Sequence, residues 1–203
     1  MRKLWALLPG VCLALVSLTA KADPTLTFDS SPGGGEIGPY TLTLNPGSAS
    51  LQLFCMNDDR YIQGGETWGV NIVNGADLTT FLASDPNLAK AYEEEAYIYS
   101  QYNGTNAADV QDALWDIFNP MTLDTAAQNL VTDAEMSSNP FYTNGDLGHY
   151  DFFLYDGGAI TNQYGTYDPQ NFIGAAPEPS SLFLLGSGLA GLAGAARRKL
   201  TRS

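Results

Sequence analysis

The stretch YTLTLNPGSASLQLFC, residues 40–55, alternates apolar with polar side chains on both sides of a central Asn-Pro-Gly. Alternation with a period of two predicts β-strands with one buried face, and Asn-Pro-Gly predicts the turn that joins them. Strand-like segments also occur before this stretch, at residues 25–28, and after it, at residues 67–73 and 150–155. The sequence therefore predicts a sheet that begins in the first third of the chain.

Helical periodicity separates the early strands from the last one. One helix is expected to begin with Asp85 as its cap and Pro86 at its first position. A second is expected to be capped by Asn106 and to end before Pro120, and a third, weaker helix is expected at residues 123–136. Strands, then helices, then a strand predict an α+β fold, built as a β-sandwich or a partial β-barrel with a helical insertion.

The N-terminus has the three parts of a secretory signal peptide. Residues 1–3 are basic after the initiating Met, residues 4–18 are apolar, and Ala20 and Ala22 form a small-residue cleavage site. We therefore expect signal peptidase to cut after Ala22. The run contains Pro and Gly and is short for a membrane anchor, which favours a cleaved signal over an anchor.

The C-terminus combines an apolar run with a basic cluster. Residues 181–196 carry no charge and are predicted to form a single transmembrane helix. The basic residues that follow are Arg197, Arg198, Lys199 and Arg202. Because positive residues flanking a membrane helix stay in the cytoplasm, the domain before the helix is expected outside it. The signal peptide delivers the domain to that same side.

Three residues before the apolar run distinguish this tail from a plain membrane anchor. Pro177, Glu178 and Pro179, followed by a Leu/Gly/Ala-rich run and a terminal basic cluster, resemble the PEP-CTERM sorting signal. That family occurs in Gram-negative bacteria that make exopolysaccharide, and the resemblance implies processing by exosortase, a membrane transpeptidase. The expected parts are a signal peptide (residues 1–22), an acidic extracytoplasmic domain (residues 23–176) and a sorting signal (residues 177–203).

The expected extracytoplasmic domain is strongly acidic. Arg60 and Lys90 are its only basic residues against 21 Asp and Glu, so its formal net charge is −19. Contacts to phosphate require Lys and Arg, which excludes nucleic acid as a partner. The charge favours a solvated surface and basic or cationic partners.

Cys55 is the only cysteine left once the signal peptide, which contains Cys12, is removed. A single thiol in an exported protein cannot form an internal disulfide. Three alternatives remain: an inert buried thiol, a disulfide to another molecule, or a thiol held in another covalent bond.

Two short motifs favour the third alternative. The sequences FCMND at residues 54–58 and VQDALW at residues 110–115 resemble the paired motifs of bacterial thioester domains, although Met56 stands where an aromatic residue is expected. The resemblance implies a bond between the Cys55 sulfur and the side-chain carbonyl of Gln111, formed with loss of ammonia. A partner's lysine would then attack this carbonyl. Phe54 and Trp115 are expected to exclude water from the bond.

Motifs for metal binding or nucleophilic catalysis are weak in this sequence. His149 is the only histidine, so a multi-histidine metal site is absent, and the acidic residues do not follow EF-hand spacing. A Cys55–His149 pair has no supporting motif, and a polar surface role is expected for the histidine. The run Glu93-Glu94-Glu95 is expected to form a solvated helix face.

These features predict a non-enzymatic surface or exopolysaccharide-matrix protein that uses no cofactor and no metal. The alternative is a covalent adhesin that uses the Cys55–Gln111 thioester. An exported hydrolase is a third class, and it would require a cluster of acids or a nucleophile that the sequence does not reveal. The expected partners are signal peptidase, exosortase, the membrane and either exopolysaccharide or a lysine-bearing surface molecule.

Overall fold

The computed structural model describes residues 22–32, 35–60, 62–136, 138–162 and 165–177. Ala20, the predicted transmembrane helix, Glu178, Pro179 and the terminal basic cluster lie outside the described residues. Within the described ranges, no helix combines the length and apolar character needed to cross a bilayer.

Eight strands and four α-helices occur in the described part of the domain. The strands are β1 (Thr25–Ser30), β2 (Tyr40–Asn45), β3 (Ala49–Cys55), β4 (Thr67–Asn74), β5 (Tyr150–Tyr155), β6 (Ile160–Asn162), β7 (Gly165–Tyr167) and β8 (Phe172–Ala175). The helices are α1 (Leu78–Phe81), α2 (Pro86–Ser100), α3 (Ala107–Phe118) and α4 (Thr125–Ala134). Short 3-10 turns lie at Gly75–Asp77, Pro140–Tyr142 and Asp146–His149.

Six of the strands close an antiparallel barrel in the order β1-β2-β3-β8-β5-β4, and β6 pairs with β7 in a separate hairpin. The α+β prediction is confirmed, and the barrel is the architecture found. The helices interrupt the sheet between β4 and β5, where the helical insertion is expected. The strands at residues 25–28, 40–44, 51–55, 67–73 and 150–155 are all present, with bounds that differ by at most two residues.

Strand β8 closes the barrel and is absent from the sequence prediction. It joins β3 through the pairs Phe54↔Ile173 and Cys55↔Phe172, and it joins β5 through four residue pairs. Phe172 and Ile173 are both completely buried. Because consecutive strand residues face opposite sides, these two neighbours contribute to different clusters of the core.

The core has two parts. One part fills the barrel and consists of the buried residues Leu26, Tyr40, Leu42, Leu53, Cys55, Trp68, Val70, Phe153 and Phe172. The other lies between the sheet and the helices and includes Phe54, Met56, Tyr92, Ile98, Val110, Leu114, Phe152 and Ile173. The alternation along β3 therefore directs Cys55 into the barrel and Phe54 towards the helices.

The helix starts are only partly as predicted. The Asp85 side chain accepts a hydrogen bond from the Leu88 backbone nitrogen at 3.0 Å, so the predicted cap of α2 is confirmed. Asn106 precedes α3, but its side chain does not cap that helix. It bonds instead to the backbone of Asn103 and Gln101, which ties it to the loop between α2 and α3.

Candidate functional site

Cys55 is the last residue of β3 and lies inside the barrel, with no exposed surface. Its thiol is not in a disulfide and donates a hydrogen bond to the backbone carbonyl of Asn57, with 3.1 Å between sulfur and oxygen. Residues 49–53 of β3 pair with β2, whereas the last two residues of the strand, Phe54 and Cys55, pair with β8. The cysteine is therefore held by a hydrogen-bonded strand at the point where the barrel meets the helices.

Gln111 lies beside Cys55, although 56 residues separate them in the sequence. It belongs to α3 and is completely buried. Its Nε2 donates to the Cys55 backbone carbonyl at 2.7 Å, and its Oε1 accepts from the Gly38 backbone nitrogen at 3.3 Å. Both ends of the carboxamide are thus fixed, as a buried amide requires.

Gly38 allows the backbone to approach this carboxamide. A Cβ atom at this position would lie 3.0 Å from Gln111 Oε1 and 2.9 Å from Cδ1 of Phe54. Both distances are too short for an ordinary side-chain contact. Gly38 is not predictable as part of the site, because a glycine in a glycine-rich loop carries no distinguishing pattern.

Aromatic side chains surround the pair. Phe54 is completely buried, and its ring centroid lies 4.9 Å from that of Tyr102 and 5.7 Å from that of Tyr99. Trp115, one turn after Gln111 on α3, packs against the barrel part of the core. Its indole nitrogen is buried and makes no conventional hydrogen bond with the described residues. Shielding of a thioester by Phe54 and Trp115 stays a prediction.

The surroundings keep Cys55 neutral. Burial raises the pKa of its thiol to about 12, and the charges of Glu95 and Asp58 add to the rise. The indole of Trp115 and the backbone of Asn57 oppose it to a smaller extent. At pH 7 a thiol with this pKa is ionised in only about one molecule in 10⁵, so Cys55 is not an activated nucleophile by itself.

The acidic run at residues 93–95 is partly buried, contrary to the sequence prediction. Glu94 is 8% exposed and Glu95 is completely buried, so the expected solvated face at residues 93–95 is wrong. Glu94 pairs with Lys90, whereas neither oxygen of Glu95 has a hydrogen-bond partner among the described residues. Burial raises the pKa of Glu95 well above its usual value, with a smaller contribution from Glu94, and so favours the protonated form of the carboxyl.

A surface groove adjoins the buried pair. Its volume is about 550 Å³, and its lining includes Glu36, Tyr40, Asp58, Arg60 and Trp115. Tyr40 and Trp115 also pack against the barrel part of the core, which contains Cys55. Tyr40 and Trp115 thus belong both to the groove lining and to the packing around Cys55.

The remaining predicted residues lie apart from this site or outside the described residues. His149 is exposed at the end of a 3-10 turn, and none of the hydrogen bonds among the described residues joins its side chain to Cys55. In the same part of the chain, no group of three or more His, Cys, Asp or Glu is placed to hold a metal ion. Ala22 and Pro177 are exposed at the two limits of the described domain.

Comparison with known proteins identifies the tail. The PEP-CTERM protein-sorting motif matches residues 175–199, which confirms the resemblance of Pro177-Glu178-Pro179 and the segment after it. The motif implies export, processing by exosortase and membrane-anchored sorting towards the cell surface. No curated protein and no solved structure matches the chain.

Proposed function

Because the chain carries a PEP-CTERM sorting motif, we propose that it is a surface or exopolysaccharide-matrix protein of a Gram-negative bacterium and attaches covalently to its partner. The attachment uses an internal thioester between Cys55 and Gln111. The observation that carries this proposal is the buried carboxamide of Gln111, held at 2.7 Å from the carbonyl oxygen of the cysteine residue itself.

The bond follows from the chemistry of the two side chains. The Cys55 sulfur bonds to Cδ of Gln111, the bond from Cδ to Nε2 breaks, and ammonia leaves with the thiol proton. The Gly38 N–H already points at Gln111 Oε1, the atom on which negative charge develops during attack on the carbonyl. A donor in that position lowers the barrier because it stabilises the developing oxyanion.

Burial explains how such a bond survives. A thioester is hydrolysed where water reaches it, and Cys55 and Gln111 are both completely buried. Trp115 and Tyr40 line the groove, so a shift of either side chain would give a partner access to the bond. An amine of a partner, such as a lysine, then attacks Cδ of Gln111 and forms an amide, and Cys55 leaves as a thiol.

The negative net charge of the domain favours a partner's amine as the group that attacks the thioester. At −19 for residues 23–176, the domain attracts cationic amines and raises their encounter rate at low ionic strength. Each molecule reacts once and does not turn over, so the protein is a covalent adhesin and not an enzyme. Association with exopolysaccharide is the setting that the sorting motif favours.

The mass of the exported full chain tests the bond. We expect a mass lower by one ammonia than the sequence requires after processing, and a thiol that does not react with alkylating reagents. Methylamine should add to Gln111 and release the thiol. Cys55→Ala and Gln111→Ala should lack the mass difference, whereas Gln128→Ala, which changes an exposed glutamine of α4, should retain it. An unmodified mass with a fully titratable thiol in the native chain would contradict the proposal.

A further inference from the structure

We propose that the indole N–H of Trp115 holds the Cys55 sulfur as it leaves Gln111, when a partner's amine opens the thioester. This inference rests on the proposed function, and it gives Trp115 a chemical role beyond the shielding of the bond. Its basis is a buried N–H donor that packs against the barrel cluster containing Cys55 and finds no oxygen or nitrogen acceptor among the described residues.

The Cys55 sulfur is held in one position before any bond forms. Its thiol donates to the backbone carbonyl of Asn57, with 3.1 Å between sulfur and oxygen. The Asn57 side chain is bonded on two sides, because Oδ1 accepts from the Asn171 backbone nitrogen at 2.9 Å and Nδ2 donates to Oδ1 of Asp59 at 3.1 Å. The sulfur therefore occupies a defined place at the end of β3, where a donor can be aimed at it.

Trp115 brings its donor to that place from α3. It lies one turn after Gln111, so the two side chains share a face of the helix, and Gln111 is bonded to the Cys55 backbone carbonyl at 2.7 Å. Burial raises the pKa of the Cys55 thiol, and a hydrogen bond from the Trp115 side chain opposes this rise. Because an indole nitrogen can only donate, this hydrogen bond directs its N–H at the sulfur.

A donor at the sulfur matters because Cys55 is a poor leaving group. Burial raises the pKa of its thiol to about 12, and a thiol with a high pKa leaves slowly. A hydrogen bond aimed at the atom on which negative charge develops lowers the barrier to departure. Trp115 supplies that hydrogen bond in a core from which water is excluded.

The steps balance without another reactant. The amine nitrogen bonds to Cδ of Gln111, the bond from Cδ to the Cys55 sulfur breaks, and its electron pair stays on the sulfur beside the Trp115 N–H. A proton of the attacking amine then passes to the sulfur. The products are an amide at Gln111 and the Cys55 thiol, which donates to the Asn57 carbonyl as in the structure.

The assignment also selects the route by which the partner enters. Trp115 and Tyr40 both line the groove, but Trp115 must stay beside the sulfur during the reaction. The amine therefore reaches the bond past Tyr40, whose hydroxyl donates to the backbone carbonyl of Glu36 in the loop before β2.

Shielding and assistance of the leaving group predict opposite effects for Trp115→Phe. The smaller ring admits more amine, so loss of shielding alone speeds the opening of the thioester. The same ring has no N–H, so loss of the donor slows it. Trp68→Phe is the matched control, because Trp68 lies in the same barrel cluster and also has a buried indole nitrogen, whereas the indole that bonds to the Cys55 sulfur is that of Trp115.

Methylamine opening of the exported full chain tests the assignment. The thioester form is mixed with methylamine, and free thiol and intact mass are followed over time. We expect Trp115→Phe to open more slowly by about tenfold or more, the usual effect of one hydrogen bond to a charged group, and Trp68→Phe to match the unsubstituted chain. In chain with isotope-labelled tryptophan, the Trp115 indole N–H resonance should shift on opening, and the Trp68 resonance should not.

The outcomes separate the two proposals. If Trp115→Phe opens as fast as the unsubstituted chain, or faster, Trp115 only shields the bond and the covalent adhesin stands. If Trp115→Phe does not form the thioester, the indole resonances of the unsubstituted chain decide: a shift confined to Trp115 supports the assignment, and an unchanged Trp115 resonance overturns it. A native unsubstituted chain with an unmodified mass and a fully titratable thiol overturns both proposals.

Discussion

Glu95 couples the stability of the domain to pH. In the folded chain its pKa lies well above the usual glutamate value because the carboxyl is buried, whereas the unfolded chain titrates near pH 4.3. Between these two pKa values the folded state holds a proton that the unfolded state releases. The contribution of Glu95 to stability is therefore greatest below about pH 4.3 and is lost as the pH rises towards the folded pKa.

Substitution of Glu95 should remove this dependence. In a Cys55→Ala background, which cannot form the thioester, we expect Glu95→Gln to raise the free energy of unfolding at pH 7 more than at pH 4. The difference in the free energy of unfolding between the two chains should grow by up to about 1.4 kcal/mol per pH unit above the pKa of Glu95 in the unfolded chain. Glu93 and Asp112 also have raised pKa values. Because both residues are present in both chains, their contributions to the pH dependence cancel in the difference. Urea unfolding of both chains across this pH range measures the effect, and parallel stability curves would rule it out.

Individual residues of the site differ in how far the sequence reveals them. Cys55 and Gln111 are predictable because a leftover thiol and two short motifs identify them, and the structure places them in contact. Glu95 is not predictable from its acidic neighbours. Three successive helix positions span about 200° around the axis, so a helix packed on several sides must bury at least one of them. The polar run conceals this geometric requirement.

At the scale of elements, the strands of the first third are predictable because their side chains alternate and one face is buried. Strand β8 is not, because it has only four residues and places Phe172 beside Ile173. Both of its faces are covered, one by the barrel interior and the other by the helices. A strand buried on both faces has no polar alternation to detect.

The position of β8 leads to a prediction for Gly174. A methyl group on this residue would overlap the side chain of Leu53 on the neighbouring strand. We expect Gly174→Ala to lower the free energy of unfolding by about 1–3 kcal/mol, because overpacking a core forces side chains out of favoured conformations. Gly148→Ala is the matched control, since its methyl group would meet Ala76 at an ordinary 3.7 Å. Equal unfolding midpoints for the two variants in urea would show that β8 tolerates the added volume.

At the level of the full chain, the two ends are predicted to determine where the domain is delivered. The apolar run at residues 181–196 and the basic residues after it predict a cytoplasmic C-terminus. We expect a reporter fused after Ser203 to be active in the cytoplasm. Replacement of Arg197, Arg198, Lys199 and Arg202 by serine should move the reporter across the membrane in part of the population. Arg60→Ser, which removes a positive charge from the barrel domain, is the control. A reporter that is periplasmic in the unsubstituted chain would contradict this orientation.

In the proposed adhesin, the last strand would be the first element to bear tension between a partner and the membrane. Chain that continues past Ala175 towards the membrane pulls directly on β8, which pairs with β3 at Cys55. A partner bonded to Gln111 pulls on α3, which contacts the same end of β3. Load between partner and membrane then crosses β8, the end of β3 and the start of α3. Because β8 also pairs with β5 through four residue pairs, β5 shares this load, whereas β1, β2 and β4 make no pairs with β8.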